Sequence, residues 1–221
     1  MLKFATAAPV TAVVEIPAGR VRLHAADRSD TTVEVLPADP AKSRDAKAAE
    51  RIAVTFADGV LRIESPAAEN RILGDTGSVE VVVELPAGSR VEGRAAAAEL
   101  RTEGRLGDVT FEGAYRRIAL DETASLRLTA TDGDVEVGRL DGPAEISTQR
   151  GAIRIAEAVR GTLVLSTQSG DITVGAAAGV SATLDAGTAY GRVGNALRND
   201  GAPALDIRAT TSNGDITARS L

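Results

Sequence analysis

Five stretches of the sequence repeat one short pattern: TDGDVEV at residues 131–137, TQRGAIRI at 148–155, TQSGDITV at 167–174, TAYGRV at 188–193 and TSNGDIT at 211–217. Their central glycines, from Gly133 to Gly214, follow one another at intervals of 18, 19, 21 and 23 residues. Intervals of this size are typical of proteins built from stacked repeats. A weaker, earlier copy is present at Leu106–Phe111.

Apolar and polar residues alternate on both sides of these glycines. The apolar pairs are Leu126/Leu128, Ala144/Ile146, Leu163/Leu165, Ala182/Leu184 and Leu205/Ile207 before them, and Val135/Val137, Ile153/Ile155, Ile172/Val174 and Ile216/Ala218 after them. Each unit is therefore predicted to hold two strands, joined at the glycine, with an inward and an outward side. A second glycine closes most units, at Gly142, Gly161 and Gly179. Since one unit cannot bury its own apolar face, successive units are predicted to stack in register.

The first part of the chain is also predicted to be β-rich. VEIPAG at residues 14–19 is echoed by VELPAG at 83–88, and proline followed by glycine suits a strand end and a turn. Further strands are predicted at Thr31–Leu36, Ile52–Phe56 and Val60–Glu64, the last two joined by the hairpin dipeptide Asp58-Gly59. One short surface helix is predicted within Asp39–Arg51, and a loop at Ala67–Thr76.

These patterns predict an all-β protein. Residues 99–221 are expected to form a parallel β-solenoid, similar to a β-helix, and residues 1–98 a β-rich N-terminal cap with hairpins, continuous with it. A conventional β-sandwich is the alternative, because its strands have similar spacing. The solenoid is favoured because the corner and both strands recur together, in the same order. Aromatic residues make up only 2% of the chain, so the core must be aliphatic.

The composition excludes several classes of function. The chain has no cysteine and one histidine, which removes disulfides, thiolate chemistry and histidine-based metal clusters. Its net charge is −6, and its basic residues are scattered, so nucleic-acid binding is not expected. No apolar run approaches the roughly 20 residues that span a membrane. Residues 1–9 lack the features of a signal peptide, so a cytoplasmic location is expected.

The lone histidine, His24, lies on a predicted strand near the N-terminus. It follows Val21 and Leu23 in an alternating segment, and this pattern is typical of a structural histidine at the surface or half-buried. None of the glycine-rich corners matches a phosphate-binding loop. We therefore predict no catalytic residue and no cofactor-binding residue, and we expect no cofactor.

Acidic residues recur at the corners. Asp132 and Asp134 flank Gly133, and the equivalents of Asp134 in other copies are Asp108, Asp171 and Asp215. A row of stacked carboxylates could ligate calcium, which prefers several oxygen ligands. The row is interrupted by Ala152 and Arg192, however, and an aspartate after a corner glycine commonly bonds to its own backbone. We therefore predict a structural role for these acids and no metal-binding residue.

Two surfaces of the predicted solenoid are candidates for binding. Outward faces carry hydroxyl and amide side chains, as in Ser147–Gln149 and Ser166–Ser169, and flat polar faces of this kind can bind glycans or ice. Ordinary solvation of a strand face is the favoured interpretation of these residues. The final copy, Thr211–Leu221, ends the chain without a capping helix. Its last strand is expected to present unpaired backbone groups, which would favour a dimer or a short filament.

The chain resembles a known group of proteins. The glycine-aspartate-isoleucine corners, the VEIPAG and VELPAG strand ends and the closing TSNGDIT are similar to those of the bacterial putative-adhesin family, a domain-of-unknown-function group related to the head domain of autotransporter adhesins. The resemblance covers most of the chain, and the composition is similar to that of an actinobacterial member. It implies the solenoid fold but no transferable catalytic or ligand residues.

We predict a non-enzymatic structural or interaction module, a rigid cytoplasmic scaffold that recognises another protein or assembles with itself. No nucleic acid and no membrane span are expected. The alternative is a β-solenoid that binds or processes carbohydrate, which the shortage of sugar-stacking aromatic residues disfavours. Partner identity does not follow from the sequence.

Overall fold

A computed structural model describes residues 1–65, 77–114 and 117–221. These residues form eighteen strands and one helix. The elements are β1 (Leu2–Ala5), β2 (Thr11–Ala26), β3 (Asp30–Pro37), α1 (Ser43–Arg51), β4 (Ala53–Ala57), β5 (Val60–Glu64), β6 (Val79–Pro86), β7 (Arg90–Glu103), β8 (Arg105–Ala114), β9 (Ile118–Asp132), β10 (Val135–Leu140), β11 (Ala144–Arg150), β12 (Ile153–Ala158), β13 (Gly161–Ser169), β14 (Ile172–Ala176), β15 (Ala182–Tyr190), β16 (Val193–Ala196), β17 (Leu205–Asn213) and β18 (Ile216–Ser220). The predicted loop at Ala67–Thr76 lies outside the described residues.

The strands stack into two sheets. Sheet 1 has the order β4, β5, β2, β7, β8, β9, β11, β13, β17, β15. Sheet 2 has the order β1, β3, β6, β2, β7, β9, β10, β12, β14, β18, β16. The long strands β2, β7 and β9 bend at corners and contribute to both sheets. We call one sheet-1 strand and the sheet-2 strand that follows it a rung.

The core consists of aliphatic side chains that face inward from both sheets and form a single cluster. In sheet 1, for example, Leu126, Ala144, Leu163 and Ile207 occupy equivalent positions in four successive rungs. All four are buried, because each is covered by the rung above and the rung below. The predicted all-β fold with a parallel β-solenoid is confirmed.

The N-terminal strands close one end of the stack by antiparallel pairing. β4 and β5 form the predicted hairpin, with positive φ at Asp58 and Gly59, and β3 lies antiparallel to both β1 and β6. The predicted helix is present as α1, which packs against β3 and β6. Parallel stacking reaches β2, and β7 runs across residues 98 and 99. The division into units 1–98 and 99–221 stays a prediction.

The rungs do not stack in chain order at the C-terminal end. The rung β17–β18 lies between β13–β14 and β15–β16. The expectation that successive units stack one on the next is therefore wrong at this place. Side-chain polarity explains the order: β18 turns Ile216 and Ala218 inward, whereas β16 has Val193 and Asn195 at the same positions. An interior rung would bury the Asn195 amide at a cost of about 1–3 kcal/mol, and the end of the stack leaves it exposed.

The glycine corners are packed directly against one another. Gly170 has a φ of +154°, and a Cβ placed on it would lie 2.1 Å from the carbonyl oxygen of Gly151 in the neighbouring rung. The inward hydroxyl of Thr167 donates to that same oxygen at 3.1 Å, and the hydroxyl of Thr211 donates to the Gly170 oxygen at 3.0 Å. The corner therefore requires glycine for both its backbone conformation and its close contact.

Candidate functional site

The rung β15–β16, residues 182–196, forms the open end of the stack, and we call it the end rung. β15 pairs with β17 and β16 pairs with β18 on one side. Within the described ranges no strand pairs with the opposite edges of β15 and β16. At the start of β15, the Ala182 N–H donates to the Arg198 carbonyl oxygen at 2.9 Å, so the free edge of β15 begins after Ala182. Unpaired strand edges present backbone donors and acceptors that can bind another strand. The end rung is therefore a candidate interaction surface.

The inward side chains of the end rung are covered on one side only. Val193 is 47% exposed, whereas Ile216, its register partner in β18, is 1% exposed. Leu184 is half-buried, although its register partner Ile207 is completely buried. Tyr190, at the corner of the same rung, is 77% exposed. Covering these side chains would remove apolar surface from water, which favours association by about 25 cal/mol per Å².

Charge is low and balanced on the end rung. Residues 182–196 contain one acidic residue, Asp185, and one basic residue, Arg192. Arg192 donates to the Asp215 carboxylate at 2.8 Å, which holds the pKa of Asp215 below its ordinary value. Lysine and proline, which commonly protect strand edges from association, are absent from these residues.

The opposite end of the stack is highly charged on its sheet-2 side, whereas its sheet-1 edge strand, β4, contains no charged residue. Arg28 and Lys3 both lie 2.8 Å from the carboxylate of Asp30, and Arg28 also lies 2.5 Å from Glu84. The hydrogen bonds from Arg28 and Lys3 lower the pKa of Asp30 to about 2. Charged side chains of this kind protect exposed strands from association, so the β1 and β3 side of that end is protected, whereas both strands of the end rung lack this protection.

The expected position of the open edge at Thr211–Leu221 is wrong. β18 is paired on both sides, with β14 and with β16, because the C-terminal rung is inserted into the stack. The unpaired edge belongs instead to the preceding copy in the sequence, residues 182–196. The polarity of Asn195 at an inward position was the sequence signal for this placement.

The corner acids bond between rungs. Asp134 accepts a hydrogen bond from the backbone N–H of Ala152 at 2.8 Å, Asp171 accepts one from Asp215 at 2.8 Å, and Asp215 accepts one from Arg192 at 2.9 Å. Each donor belongs to the next rung of the stack. The predicted bond from each aspartate to its own backbone is therefore wrong, and the carboxylates instead join neighbouring rungs.

The two remaining acidic residues that the sequence analysis placed at corners, Asp108 and Asp132, have other hydrogen-bond and ion-pair partners. Asp108 lies at the opposite corner, where Ser125 donates to it at 2.6 Å and Arg90 approaches to 2.6 Å. Its assignment as the equivalent of Asp134 is wrong, because β8 belongs to sheet 1 and pairs with the second half of β9. Asp132 pairs with Arg150 at 3.0 Å. No group of three metal-ligating side chains is found in the described part of the chain.

The polar face on sheet 1 is only partly as expected. Thr148 and Thr167 point inward and are buried, so their assignment to an outward face is wrong. A hydroxyl row on the outward side consists of Thr129, Ser147, Ser166 and Thr210, which are paired in register across four successive rungs. Gln149 and Gln168 are exposed beside this row.

His24 is partly exposed on the outer side of sheet 2. Its Nδ1 lies 3.1 Å from a carboxylate oxygen of Glu103 on β7, and 40% of its side chain is exposed. Arg22 and Arg101 line the same shallow depression. The histidine therefore lies in a strand face of alternating charges, as its sequence pattern indicates.

The sequence matches one known family over nearly its whole length. The family model described as Toastrack DUF4097 matches residues 13–219. The chain belongs to the Toastrack DUF4097 family. No curated protein matches the sequence.

Three solved structures match this Toastrack chain to different degrees. A putative adhesin from Bacteroides fragilis is 14% identical, with a TM-score of 0.60 over 98% of this chain and 95% of that chain. A putative cell adhesion protein from Clostridium sporogenes is 12% identical, with a TM-score of 0.35 over 100% and 98%. A putative adhesin from Parabacteroides merdae is 11% identical, with a TM-score of 0.41 over 98% and 94%. Of these three structures, only the first supports the fold, and none of them shows the function of this chain.

The resemblance to bacterial putative adhesins is thus confirmed at the level of the family. The actinobacterial type and the cytoplasmic location stay predictions. No helix among the described residues of this Toastrack chain is long and apolar enough to cross a membrane.

Proposed function

We propose that this chain is a non-enzymatic interaction module, a rigid solenoid that binds a protein partner at its end rung. The observation that carries the proposal is the unpaired edge of β15 and β16, with half-covered aliphatic side chains directly behind it. The corner carboxylates support a structural role over a catalytic one, because Asp134, Asp171 and Asp215 are each bonded to a neighbouring rung.

Binding at this surface would use two interactions together. An added strand satisfies the free backbone groups of β15, as in β-strand addition to an exposed sheet edge. Its side chains would also cover Leu184 and Val193, which are inward but half-exposed or exposed. The rest of the stack supplies rigidity, since its buried aliphatic rows hold each rung in register. A preorganised edge of this kind loses little conformational entropy on binding.

Two valine variants test the location of the surface. Val193→Lys alters the end rung, whereas Val164→Lys alters an outward valine in the middle of the stack that is 43% exposed. We expect a bound protein to protect the β15 and β16 amides from hydrogen exchange. Val193→Lys should weaken the binding of that protein at least tenfold, and Val164→Lys should leave the binding unchanged. Protection confined to another surface, or equal binding by both variants, would overturn the proposal.

A carbohydrate ligand is the second candidate, and the hydroxyl row Thr129, Ser147, Ser166 and Thr210 favours it. Neighbouring strands lie about 4.8 Å apart, so the row offers regularly spaced donors and acceptors to a repeating polymer. The test is a glycan array with the wild-type protein and a Ser147→Lys variant. Glycan binding that is lost in the variant would support this candidate, and an array without hits would remove it.

A further inference from the structure

We propose that the occupant of the end rung is a second copy of this chain, bound edge to edge about a two-fold axis. The inference rests on the proposed function and names the partner of that same surface. In this arrangement β15 pairs antiparallel with β15 of the second copy, and β16 pairs antiparallel with its own equivalent. The two open ends then cover one another, and a closed dimer results.

Charge permits self-association at this end, where the end rung as a whole lacks a net charge. The whole chain carries a net charge of −6, so two copies repel one another on average. The end rung has no net charge over both of its strands and the corner between them, because Asp185 and Arg192 are its only charged residues and their charges cancel. Two copies therefore meet there without a like-charge penalty. A partner recognised by its charge would require a surface of opposite net charge, and the end rung has no net charge.

The geometry of the rung allows a single axis to serve both strands. Ala186 precedes the corner residue Gly191 by five positions, and Asn195 follows it by four. The two residues therefore lie at about the same distance from the corner, one in each sheet. A two-fold axis through both places Leu184 opposite Thr188 of the second copy.

Asn195 would fix the register of the pair. Its side-chain oxygen accepts the backbone N–H of Leu197 at 3.0 Å, which leaves the amide nitrogen to donate across the axis. The axis places Asn195 against the same residue of the second copy, with Val193 and Leu197 on either side. A single polar pair in an otherwise apolar contact specifies register at some cost in stability, as asparagine does in coiled coils.

The contact is small, so the dimer is expected to be weak. β15 has nine residues, which span about 30 Å at about 3.3 Å per residue, and the sheets lie about 10 Å apart. The end surface is then about 300 Å² per copy, below the about 800 Å² per partner of a typical stable interface. We expect a dissociation constant in the micromolar range or above, measurable by sedimentation.

The register is tested at Gly187, which the axis places opposite Asp185 of the second copy. A Cβ at Gly187 meets no atom within 4 Å, so the variants Gly187→Lys, Gly187→Glu and Gly187→Gln fit the monomer equally well. Each dimer contains this cross-strand pair twice. Opposite charges stabilise such pairs and like charges destabilise them. At low salt we expect Gly187→Lys to dimerise about five- to tenfold more tightly than Gly187→Glu, with Gly187→Gln between them.

Sedimentation equilibrium of the full chain measures the result. Salt should reduce the difference in dissociation constant between the Gly187→Lys and Gly187→Glu dimers, because exposed charge pairs are screened. The control variant Val164→Lys should dimerise like the wild type. A strict monomer up to millimolar concentration, an open-ended series of oligomers, or equal dimerisation by Gly187→Lys and Gly187→Glu would overturn the two-fold dimer. If the wild-type chain is monomeric but binds a different protein, and Val193→Lys abolishes that binding, the dimer is wrong while the proposed function stands.

Discussion

Three residue types at the Gly170 corner bond one rung to the next. A threonine hydroxyl donates to a glycine carbonyl in the neighbouring rung, as Thr167 does to Gly151. The glycine allows the two backbones to approach closely, and an aspartate accepts the next backbone N–H, as Asp171 does from Asp215. These bonds satisfy backbone groups where the strand ladders are interrupted, so the repeated pattern is explained by stacking.

Gly170→Ala should be strongly destabilising. The added Cβ would lie 2.1 Å from the Gly151 oxygen, at a φ of +154°, so we expect a loss of about 2–4 kcal/mol in the free energy of unfolding. Urea denaturation followed by circular dichroism measures it. Gly187→Ala is the matched control, because its Cβ has open space and its φ is not positive, and it should be neutral or slightly stabilising. Equal midpoints for the two variants would contradict the packed corner.

Asp30 should make stability depend on pH in acid. Hydrogen bonds from Arg28 and Lys3 lower its pKa from 3.8 to about 2 in the folded chain. A lowered folded pKa contributes stability that is fully present above 3.8 and is lost as the pH falls through about 2. We expect the urea midpoint to fall over this window, and to fall less in Asp30→Asn. Carboxyl NMR that places the Asp30 pKa near 3.8 would refute this.

At the scale of the strand, polarity decides which rung lies at the end. β17 and β18 turn Ile207, Ala209 and Ile216 inward, and all three are buried. β15 and β16 turn Leu184 and Asn195 inward, and both are more exposed. The more apolar rung therefore occupies the interior even though it comes later in the chain.

Hydrogen exchange should reveal this order directly. We expect the amides of β15 and β16 to exchange faster than those of β17 and β18, because the former have one neighbouring rung and the latter have two. The measurement is best made at low micromolar concentration, where a weak dimer gives little protection. Stacking in chain order would produce the opposite result, with the slower exchange in β15 and β16.

The sequence could predict the strands and corners because their signals are local. Alternating aliphatic residues, the Asp58-Gly59 turn and the glycine of each corner depend on neighbouring positions only. Hydrogen-bond partners in a parallel ladder are distant in sequence. The local pattern therefore could not predict that β17–β18 is inserted into the stack, or that Asp134 accepts the N–H of Ala152. The candidate surface was predicted as an open end but placed on the wrong copy for the same reason.

At the scale of the whole molecule, stability should depend on the position of a residue along the stack. Each rung contacts only its neighbours, so an interior rung contributes two interfaces and the end rung one. The antiparallel strands and the helix α1 lie at the N-terminal end. The end rung is therefore expected to open at a lower free energy than the rest of the molecule.

Two leucines in one row test this gradient. Leu163 and Leu184 occupy equivalent positions, because both pair in register with Ile207, yet Leu163 is completely buried and Leu184 is half-buried. Leu163→Ala should lower the free energy of unfolding by about 2–5 kcal/mol, since it leaves a cavity between rungs. Leu184→Ala should cost about 1 kcal/mol, because water already reaches that side chain. Urea denaturation at low protein concentration compares them, and equal losses would mean that a further element covers the end rung in the monomer.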